Sequence, residues 1–338
     1  MKQLVTVAPR HVAFRDVPDP IPARDEAVVA VEAVGICGSD VHFYTGEHPY
    51  SRFPNVQGHE FAGRVVSVPA DYRGEIRVGE RVAVEPLLMC GSCLPCRRGS
   101  GNCCVNMKTL GAQTDGALSE RIAVPVKLLY PADDLPSDLA ALVEPVSIGM
   151  HAVNRSGLRA GDSVVVYGAG PIGLAILLAA QDRGARLLVV DLEPTRLALA
   201  LELGAEAVIN PQEESVENRV AAWTGGDGPV VVIEATGVTS VLRAAIDLVA
   251  PSGTVVVVGL STESVSIPMV LFTRKELTVV GSRNNAGVFG AAVDLVRRNP
   301  NRTARLISHH FPFEHAPDAF ELAYTSPATT EKVMITFS

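Results

Sequence analysis

A cysteine, a histidine and a glutamate in the first part of the chain carry the side chains of a catalytic metal site. Cys37 has glycines close on both sides, and His59 and Glu60 directly follow Gly58. Adjacent residues cannot share one face of a helix or strand, so His59 and Glu60 reach a common point only if the backbone bends, which glycine permits. A thiolate, an imidazole and a carboxylate are ligands typical of a catalytic zinc, which keeps one position open for water or substrate. Taken alone, the same residues would also suit a buried cysteine and an unrelated surface pair.

The remaining cysteines crowd into one short segment. Cys90-Gly91-Ser92-Cys93-Leu94-Pro95-Cys96 places three cysteines at intervals of three, and Cys104 follows eight residues later. Four thiolates fill a tetrahedral shell and leave no open position, so this loop predicts a structural zinc. A disulfide framework would be unusual in a cytosolic chain of this size. Cys103 could replace Cys104, and the spacing leaves that choice open.

A glycine-rich stretch in the middle of the chain predicts a dinucleotide site. A continuous apolar strand at 163–167 leads into Gly168-Ala169-Gly170-Pro171-Ile172-Gly173 and then into an apolar helix. Asp191 closes the next strand, eighteen residues after the last glycine. Such glycines make a tight turn and let the backbone approach a pyrophosphate at the helix N-terminus. Asp191 would accept hydrogen bonds from the adenosine ribose and repel a 2'-phosphate, which favours NAD over NADP.

Strands and helices continue to alternate after Asp191, which indicates an α/β fold with a doubly wound parallel sheet. Strands are expected at 207–210, 230–234, 254–258 and 277–280, and helices at 194–203 and 241–249. Ligands bind at the carboxyl ends of such strands. Thr236, Gly259 and the loop of Ser282, Arg283 and Asn284 therefore point toward the cofactor. The full set of candidate cofactor residues is Gly168, Gly170, Pro171, Ile172, Gly173, Asp191, Arg196, Thr236, Val258, Gly259, Leu260, Ser282, Arg283 and Asn284.

The flanking parts of the chain read differently. Short apolar strands and proline-rich turns make the first 130 residues mainly β, and a helix near 289–298 and a strand at 332–337 end the chain. A chain of 338 residues usually has more than one core. We therefore expect a β domain at 1–147 and 286–338, to which the last strand returns, and a dinucleotide domain at 148–285.

Composition narrows the possible partners. The chain is 47% hydrophobic and 20% charged, with a formal net charge of -8. These values are ordinary for a globular protein and argue against a nucleic-acid surface. The N-terminus lacks the apolar core of a signal peptide, and the apolar runs are far shorter than a membrane span. We expect a cytoplasmic protein that acts on a small molecule.

Together these motifs resemble, in order, those of the zinc-dependent medium-chain alcohol and polyol dehydrogenases. The resemblance runs nearly end to end and includes Glu144-Pro145. Within the family the chain is similar to the polyol branch around sorbitol dehydrogenase, and most similar to L-idonate and L-galactonate 5-dehydrogenases. That narrower similarity rests on 44–50, on Asn102-Cys103-Cys104 and on 281–284. Asp115-Gly116-Ala117 departs from the family pattern, and so does Gln57, which could alter the surroundings of the metal.

The resemblance implies a GroES-like β catalytic domain and a Rossmann dinucleotide domain, with two zinc ions per chain. It implies Cys37, His59, Glu60 and Glu144 around the catalytic zinc, where Glu60 and Glu144 could exchange or bind through water. It implies Cys90, Cys93, Cys96 and Cys104 around the structural zinc. Ser39 and His42 would relay the substrate proton to solvent. A homodimer or homotetramer is expected.

The predicted reaction is hydride transfer from a secondary hydroxyl of a polyol or hexonate to NAD. Zinc would act as a Lewis acid on the hydroxyl, and Arg283 could bind a substrate carboxylate. A neutral sugar alcohol or a general secondary alcohol is the alternative substrate. Two other classes compete: a catalytically silent NAD-sensing regulator, and a zinc-free quinone reductase that would need neither Cys37, His59 nor the cysteine loop.

Overall fold

The computed structural model describes residues 1–48 and 51–338. Pro49 and Tyr50, the last two residues of one motif used above, lie outside the described residues. The described chain divides into two compact units, one formed by Met1–Glu144 with Phe289–Ser338 and the other by Pro145–Val288. The boundaries expected from the sequence, 147/148 and 285/286, lie three residues from these. Among the described residues, no helix combines the length and the apolar character that crossing a membrane requires.

The first unit is mainly β, and its elements follow one another along the chain with helices at a few points. They are β1 (Lys2–Ala8), β2 (His11–Asp16), β3 (Glu26–Ile36), α1 (Gly38–Thr45), β4 (Glu60–Ser67), β5 (Arg81–Val84), β6 (Leu87–Leu88), α2 (Leu94–Arg97), β7 (Lys108–Thr109), β8 (Arg121–Pro125), β9 (Leu129–Pro131) and α3 (Ser137–Ala141).

The second unit alternates strands and helices, as the sequence predicts. Its elements are α4 (Val143–Ser156), β10 (Ser163–Tyr167), α5 (Pro171–Asp182), β11 (Arg186–Val190), α6 (Pro194–Glu202), β12 (Ala207–Ile209), α7 (Val216–Thr224), β13 (Val231–Glu234), α8 (Thr239–Leu248), β14 (Thr254–Val257), α9 (Val270–Lys275) and β15 (Thr278–Gly281). The chain then ends with α10 (Phe289–Arg298), α11 (Pro300–Ala304), β16 (Ile307–Pro312), α12 (Ala316–Thr325) and β17 (Lys332–Thr336).

A mixed sheet in the order β16-β17-β3-β4-β5-β9 organises the first unit, with β8 also paired to β3. Most residues of β3 are buried, on both faces of the strand, and Val29, Val31 and Val34 belong to the apolar core. β17 runs antiparallel to β3, so the end of the chain lies beside the strand that leads to Cys37. The register pairs Gly35 of β3 with Glu60 of β4. The sheet thereby brings together residues that the sequence separates widely.

The sheet of the second unit is parallel throughout, in the order β12-β11-β10-β13-β14-β15. Counted from β10, this is the strand order of the dinucleotide-binding fold. β10 and β11 are continuous apolar runs because helices cover both faces of such a sheet. The predicted fold class, a GroES-like β domain with a doubly wound α/β domain, is confirmed.

Candidate metal centre and cofactor site

Four cysteines of the segment around α2 converge on one point. One sulfur atom from each of Cys90, Cys93, Cys96 and Cys104 lies within 4.8 Å of the others. The Sγ atoms of Cys93 and Cys96 are 3.4 Å apart, and those of Cys93 and Cys104 are 3.8 Å apart. Tetrahedral zinc with Zn–S bonds of about 2.3 Å separates its sulfurs by roughly 3.8 Å, so the cluster fits this ion.

Backbone amides point at the sulfurs of this cluster. The N–H groups of Ser92 and Cys93 lower the pKa of the Cys90 thiol, and the N–H of Cys90 donates to Cys104 Sγ at 3.3 Å. Both contacts favour the thiolate form that a metal requires. Cys104 is buried, whereas Cys103 is exposed and is not among the converging sulfurs.

Cys37, His59 and Glu60 form a second convergent group. One ligand atom from each lies within 4.8 Å of the others, although Cys37 precedes α1, His59 precedes β4 and Glu60 is the first residue of β4. Gly58 has φ +94, which provides the bend that the sequence analysis required. Sulfur, nitrogen and carboxylate donors at these separations fit a zinc ion with room for one more ligand.

The buried carboxylate of Asp40 connects two of these residues. Asp40 Oδ2 accepts a hydrogen bond from the backbone N–H of Cys37 at 2.9 Å and lies 3.5 Å from His59 Nδ1. Burial alone would raise the pKa of Asp40, but attraction to His59 brings it below its usual value. Burial would lower the pKa of His59, and Asp40 raises it well above 6.5. With Nδ1 facing Asp40, Nε2 is the nitrogen that remains for a metal.

Lys332 is the counterion of Glu60. Its ammonium nitrogen lies 2.7 Å from Glu60 Oε1 and 2.6 Å from Oε2, and both side chains are buried. The same nitrogen donates to the carbonyl of Ile36 at 3.2 Å. A side chain at Gly35 would collide with the carboxylate, because its Cβ would lie 2.5 Å from Glu60 Oε2. The local sequence pattern around Lys332 predicts only a strand, since nothing in it links the lysine to Glu60.

Glu144 lies at the start of α4 and is buried. Burial raises its pKa to about 7, and the negative charges of Glu60 and Asp40 act in the same direction, against the attraction of His59 and Lys332. Glu144 is close enough to His59 and Glu60 for their charges to act on it, but it is not among the residues whose ligand atoms converge within 4.8 Å. A carboxyl group with this pKa changes charge near neutral pH when no metal is bound.

α1 carries Ser39 and His42. They are three residues apart and therefore adjacent on one helix face. Ser39 is half-buried, and the His42 side chain is 62% exposed with Nδ1 3.5 Å from Glu47 Oε2. The arrangement leads from the end of α1 nearest Cys37 towards solvent. The sequence analysis assigned no helix to this segment.

The glycine-rich turn between β10 and α5 has the close contacts of a pyrophosphate-binding loop. A Cβ at Gly173 would lie 1.9 Å from the carbonyl oxygen of Gly168, so helix and turn can approach only with glycine there. Gly168 has φ +97. A Cβ at Gly170, the N-cap of α5, would meet only a guanidinium nitrogen of Arg196 at 3.9 Å. The space over Gly170 is thus available to a phosphate at the helix N-terminus.

Asp191 lies against this turn at the end of β11. Its carboxylate accepts hydrogen bonds from the N–H groups of Ala169 at 2.6 Å and Glu193 at 2.9 Å. A pocket of ≈ 580 Å³ opens beside it, at the carboxyl ends of the central strands. Asp191, Glu214 and Glu217 line this pocket together with apolar residues such as Val190 and Val241. The apolar walls beside the glycine-rich turn fit the adenosine of a dinucleotide.

The other candidate cofactor residues follow the neighbouring strands. Glu234 Oε1 accepts from the N–H groups of Thr236 at 2.6 Å and Gly237 at 2.8 Å, which fixes the turn after β13. Val258, Gly259 and Leu260 follow β14, and a Cβ at Gly259 would lie 2.1 Å from the nitrogen of Gly237. These two turns therefore pack directly on each other.

The loop after β15 contains Ser282, Arg283 and Asn284, and next to them Asn285, which the sequence analysis missed. Asn285 is 1% exposed, and among the described residues neither its side-chain oxygen nor its nitrogen has a hydrogen-bond partner. The Ser282 hydroxyl is likewise buried without a partner there. Buried amides are normally paired. This amide and this hydroxyl lie at the carboxyl end of β15, the edge at which parallel sheets bind ligands.

Comparison with known proteins agrees with this arrangement. A family model of the alcohol dehydrogenase GroES-like domain matches residues 23–134, and one of the zinc-binding dehydrogenases matches residues 171–298. The chain is 34% identical to L-galactonate-5-dehydrogenase of Escherichia coli K12, over 100% of this chain and 99% of that protein.

Two solved structures are also similar. One is an Escherichia coli CFT073 protein described as a short chain alcohol dehydrogenase (rspB), complexed with NADH, with TM-score 0.92, 34% identity and coverage of 100% and 99% of the two chains. The other is a zinc-binding dehydrogenase from Sinorhizobium meliloti 1021 bound to NADP, with TM-score 0.92, 32% identity and coverage of 99% and 98%. The chain belongs to the family of zinc-dependent medium-chain alcohol and polyol dehydrogenases. It is an oxidoreductase that acts on a small-molecule alcohol.

Proposed function

We propose that this dehydrogenase oxidises a secondary hydroxyl of a polyol or hexonate and reduces NAD. The observation that carries the proposal is the convergence of Cys37, His59 and Glu60 within 4.8 Å, in a chain that also has a dinucleotide turn. Three mixed donors leave an open position, which a substrate hydroxyl can occupy. A zinc held by these three residues would supply Lewis acidity, which lowers the pKa of such a hydroxyl.

The protein residues hold this centre and move the proton. Asp40 keeps the imidazole of His59 oriented, and Lys332 fixes Glu60. Glu144 is a second carboxylate that can replace or support Glu60 in the metal shell. Ser39 and His42, adjacent on α1, carry the substrate proton to solvent. Cys90, Cys93, Cys96 and Cys104 hold a separate zinc that stabilises the loop, since four thiolates leave no open position.

NAD is the proposed cofactor because the pocket beside Asp191 is negatively charged. A 2'-phosphate would meet Asp191, with Glu214 and Glu217 in the same pocket. A carboxylate on the substrate is proposed from Arg283 and from the similarity to a galactonate dehydrogenase. A guanidinium can bind a carboxylate through two parallel hydrogen bonds.

The test is an absorbance assay for NADH with a panel of hexonates, hexitols and simple secondary alcohols. We expect the highest kcat/KM with a hexonate and NAD. Highest turnover of a hexitol would favour the neutral polyol as substrate. Turnover of none of them by a zinc-loaded protein that binds NADH would contradict the proposed function and favour a regulator.

We propose further that two copies associate through β15. This strand is an edge of its sheet: among the described residues only β14 pairs with it, and it is largely exposed. Exposed apolar side chains, Met269 and Val270, lie in the same unit at the start of α9. An exposed apolar edge strand can pair with its copy. Analytical ultracentrifugation should find a dimer or tetramer that Val279→Lys dissociates; a monomeric wild type would contradict this.

A further inference from the structure

Gln57 is fully buried and bridges two elements of the first unit. Its Oε1 accepts a hydrogen bond from the Thr6 hydroxyl of β1 at 2.5 Å, and its Nε2 donates to the carbonyl of Asp40 in α1 at 2.7 Å. The carbonyl of Asp40 can only accept, so the amide nitrogen must face it. The two ends of this side chain therefore have fixed and different partners.

Asp40 connects Gln57 to two of the candidate metal ligands. Its carboxylate accepts from the backbone N–H of Cys37 at 2.9 Å and of Gly58 at 3.4 Å, and lies 3.5 Å from His59 Nδ1. Gln57 holds the backbone of the same residue. A shift of Asp40 would therefore move the Cys37 backbone and turn the His59 imidazole together.

We propose that Gln57 is a positioning residue for the metal centre, acting through Asp40 on Cys37 and His59. The inference rests on the proposed zinc site at those residues. Without the amide, the Asp40 carbonyl and the Thr6 hydroxyl lose their partner in a buried place, which costs free energy unless the backbone shifts. Partners outside the metal shell commonly change metal affinity by about 10–100-fold.

The test compares Gln57→Met with wild type in cobalt- and zinc-loaded protein. In the presence of a chelator, we expect the metal ion at Cys37, His59 and Glu60 to dissociate from Gln57→Met at least about tenfold faster than from wild type. The four-cysteine site should keep its metal. We also expect the visible absorption bands of Co²⁺ at the mixed-donor site to shift. A wild-type cobalt spectrum and wild-type release in folded Gln57→Met would overturn the inference.

Asn55→Ala is the matched control. Asn55 is another buried amide of the same segment, and its Nδ2 donates to the carbonyl of Gly111 at 3.2 Å, whereas Gln57 donates to the carbonyl of Asp40. We expect this variant to lower the melting temperature without faster release from the mixed-donor site. If Asn55→Ala and Gln57→Met speed release equally, Gln57 has only a general stabilising role and the inference fails.

Thr6 provides a second route if Gln57→Met does not fold. Thr6→Val removes the hydroxyl that holds the amide and should speed metal release, and Thr6→Ser should restore wild-type release. Wild-type release in Thr6→Val would then overturn the inference. A wild-type protein that takes up metal only at the four cysteines would instead overturn the proposed catalytic centre, and these two failures are distinguishable.

Discussion

Lys332 and Glu60, 272 residues apart in the chain, form a buried ion pair in which Nζ lies 2.7 Å from Oε1 and 2.6 Å from Oε2. Burying both charges is costly, and the carboxylate is at the same time a candidate zinc ligand. In metal-free protein, Lys332 is therefore the cation that compensates Glu60. A bound zinc would supply a second positive charge beside the same carboxylate.

Replacing Lys332 tests whether Glu60 depends on it for charge compensation in metal-free protein. Lys332→Met leaves a buried, unpaired carboxylate, so the unfolding free energy of metal-free protein should fall by about 3–5 kcal/mol. Zinc should then stabilise this variant more than wild type. Urea unfolding with and without zinc measures both effects. Lys332→Met combined with Glu60→Gln should recover much of the loss; two independent, additive losses would show that the pair is not coupled.

The charge of Glu144 predicts a pH dependence of metal-free protein. Burial raises its pKa from 4.5 to about 7, so between these values the folded protein keeps a proton that the unfolded chain has lost. The unfolding free energy must then decrease as pH rises through this range. Between pH 4.5 and 8, the unfolding free energy of wild type should fall by on the order of 3 kcal/mol more than that of Glu144→Gln. Parallel unfolding profiles of the two proteins would contradict the raised pKa.

Metal content separates the two proposed zinc sites. Elemental analysis should find close to two zinc ions per chain, one of which mild chelation removes together with activity. Cys37→Ser should reduce the content to one with a nearly unchanged melting temperature. Cys93→Ser should lower the melting temperature markedly, because a structural zinc contributes to folding. A freshly prepared, folded protein without metal would be inconsistent with both sites.

The structural features that the sequence predicts correctly are those determined by residues close together in the chain. β10, the glycine-rich turn and β11 lie where the sequence puts them, because a buried parallel strand and a fingerprint turn are each set by neighbouring residues. Lys332, by contrast, reaches Glu60 only because β17 pairs with β3 and β3 pairs with β4. No periodicity carries such a long-range register. Gln57 departs from the family pattern, which marks it in the sequence. Its hydrogen-bond partners Thr6 and Asp40 cannot be predicted from spacing.

Cofactor choice can be tested at Asp191. Repulsion between its carboxylate and a 2'-phosphate costs on the order of 1–3 kcal/mol. Because about 1.4 kcal/mol corresponds to a tenfold change in affinity, Asp191→Ala should reduce the preference for NAD over NADP roughly tenfold or more. Its hydrogen bonds from Ala169 and Glu193 are lost as well. Asp191→Asn removes the charge but keeps an acceptor oxygen, so it separates the effect of the charge from the effect of the lost hydrogen bonds. The measurement is kcat/KM for NAD and NADP; a wild-type preference for NADP would refute the assignment.

Arg283 tests whether the substrate carries a carboxylate. Arg283 is exposed in the loop after β15, at the sheet edge where parallel sheets bind ligands. Its neighbours Ser282 and Asn285 have buried polar atoms without a hydrogen-bond partner among the described residues. If its guanidinium binds the acid, Arg283→Leu should reduce kcat/KM for a hexonate by about 2–4 kcal/mol, the range for a charge-assisted pair in a partly desolvated site.

The neutral substrate is the internal control for this variant. Turnover of a hexitol, which has no carboxylate, should fall much less in Arg283→Leu, because the lost interaction is with the acid alone. Arg283→Lys keeps the charge but not the two parallel hydrogen bonds, so it should recover only part of the hexonate activity. Equal losses on hexonate and hexitol would assign Arg283 to the cofactor or to the fold, and the neutral sugar alcohol would then be the better substrate.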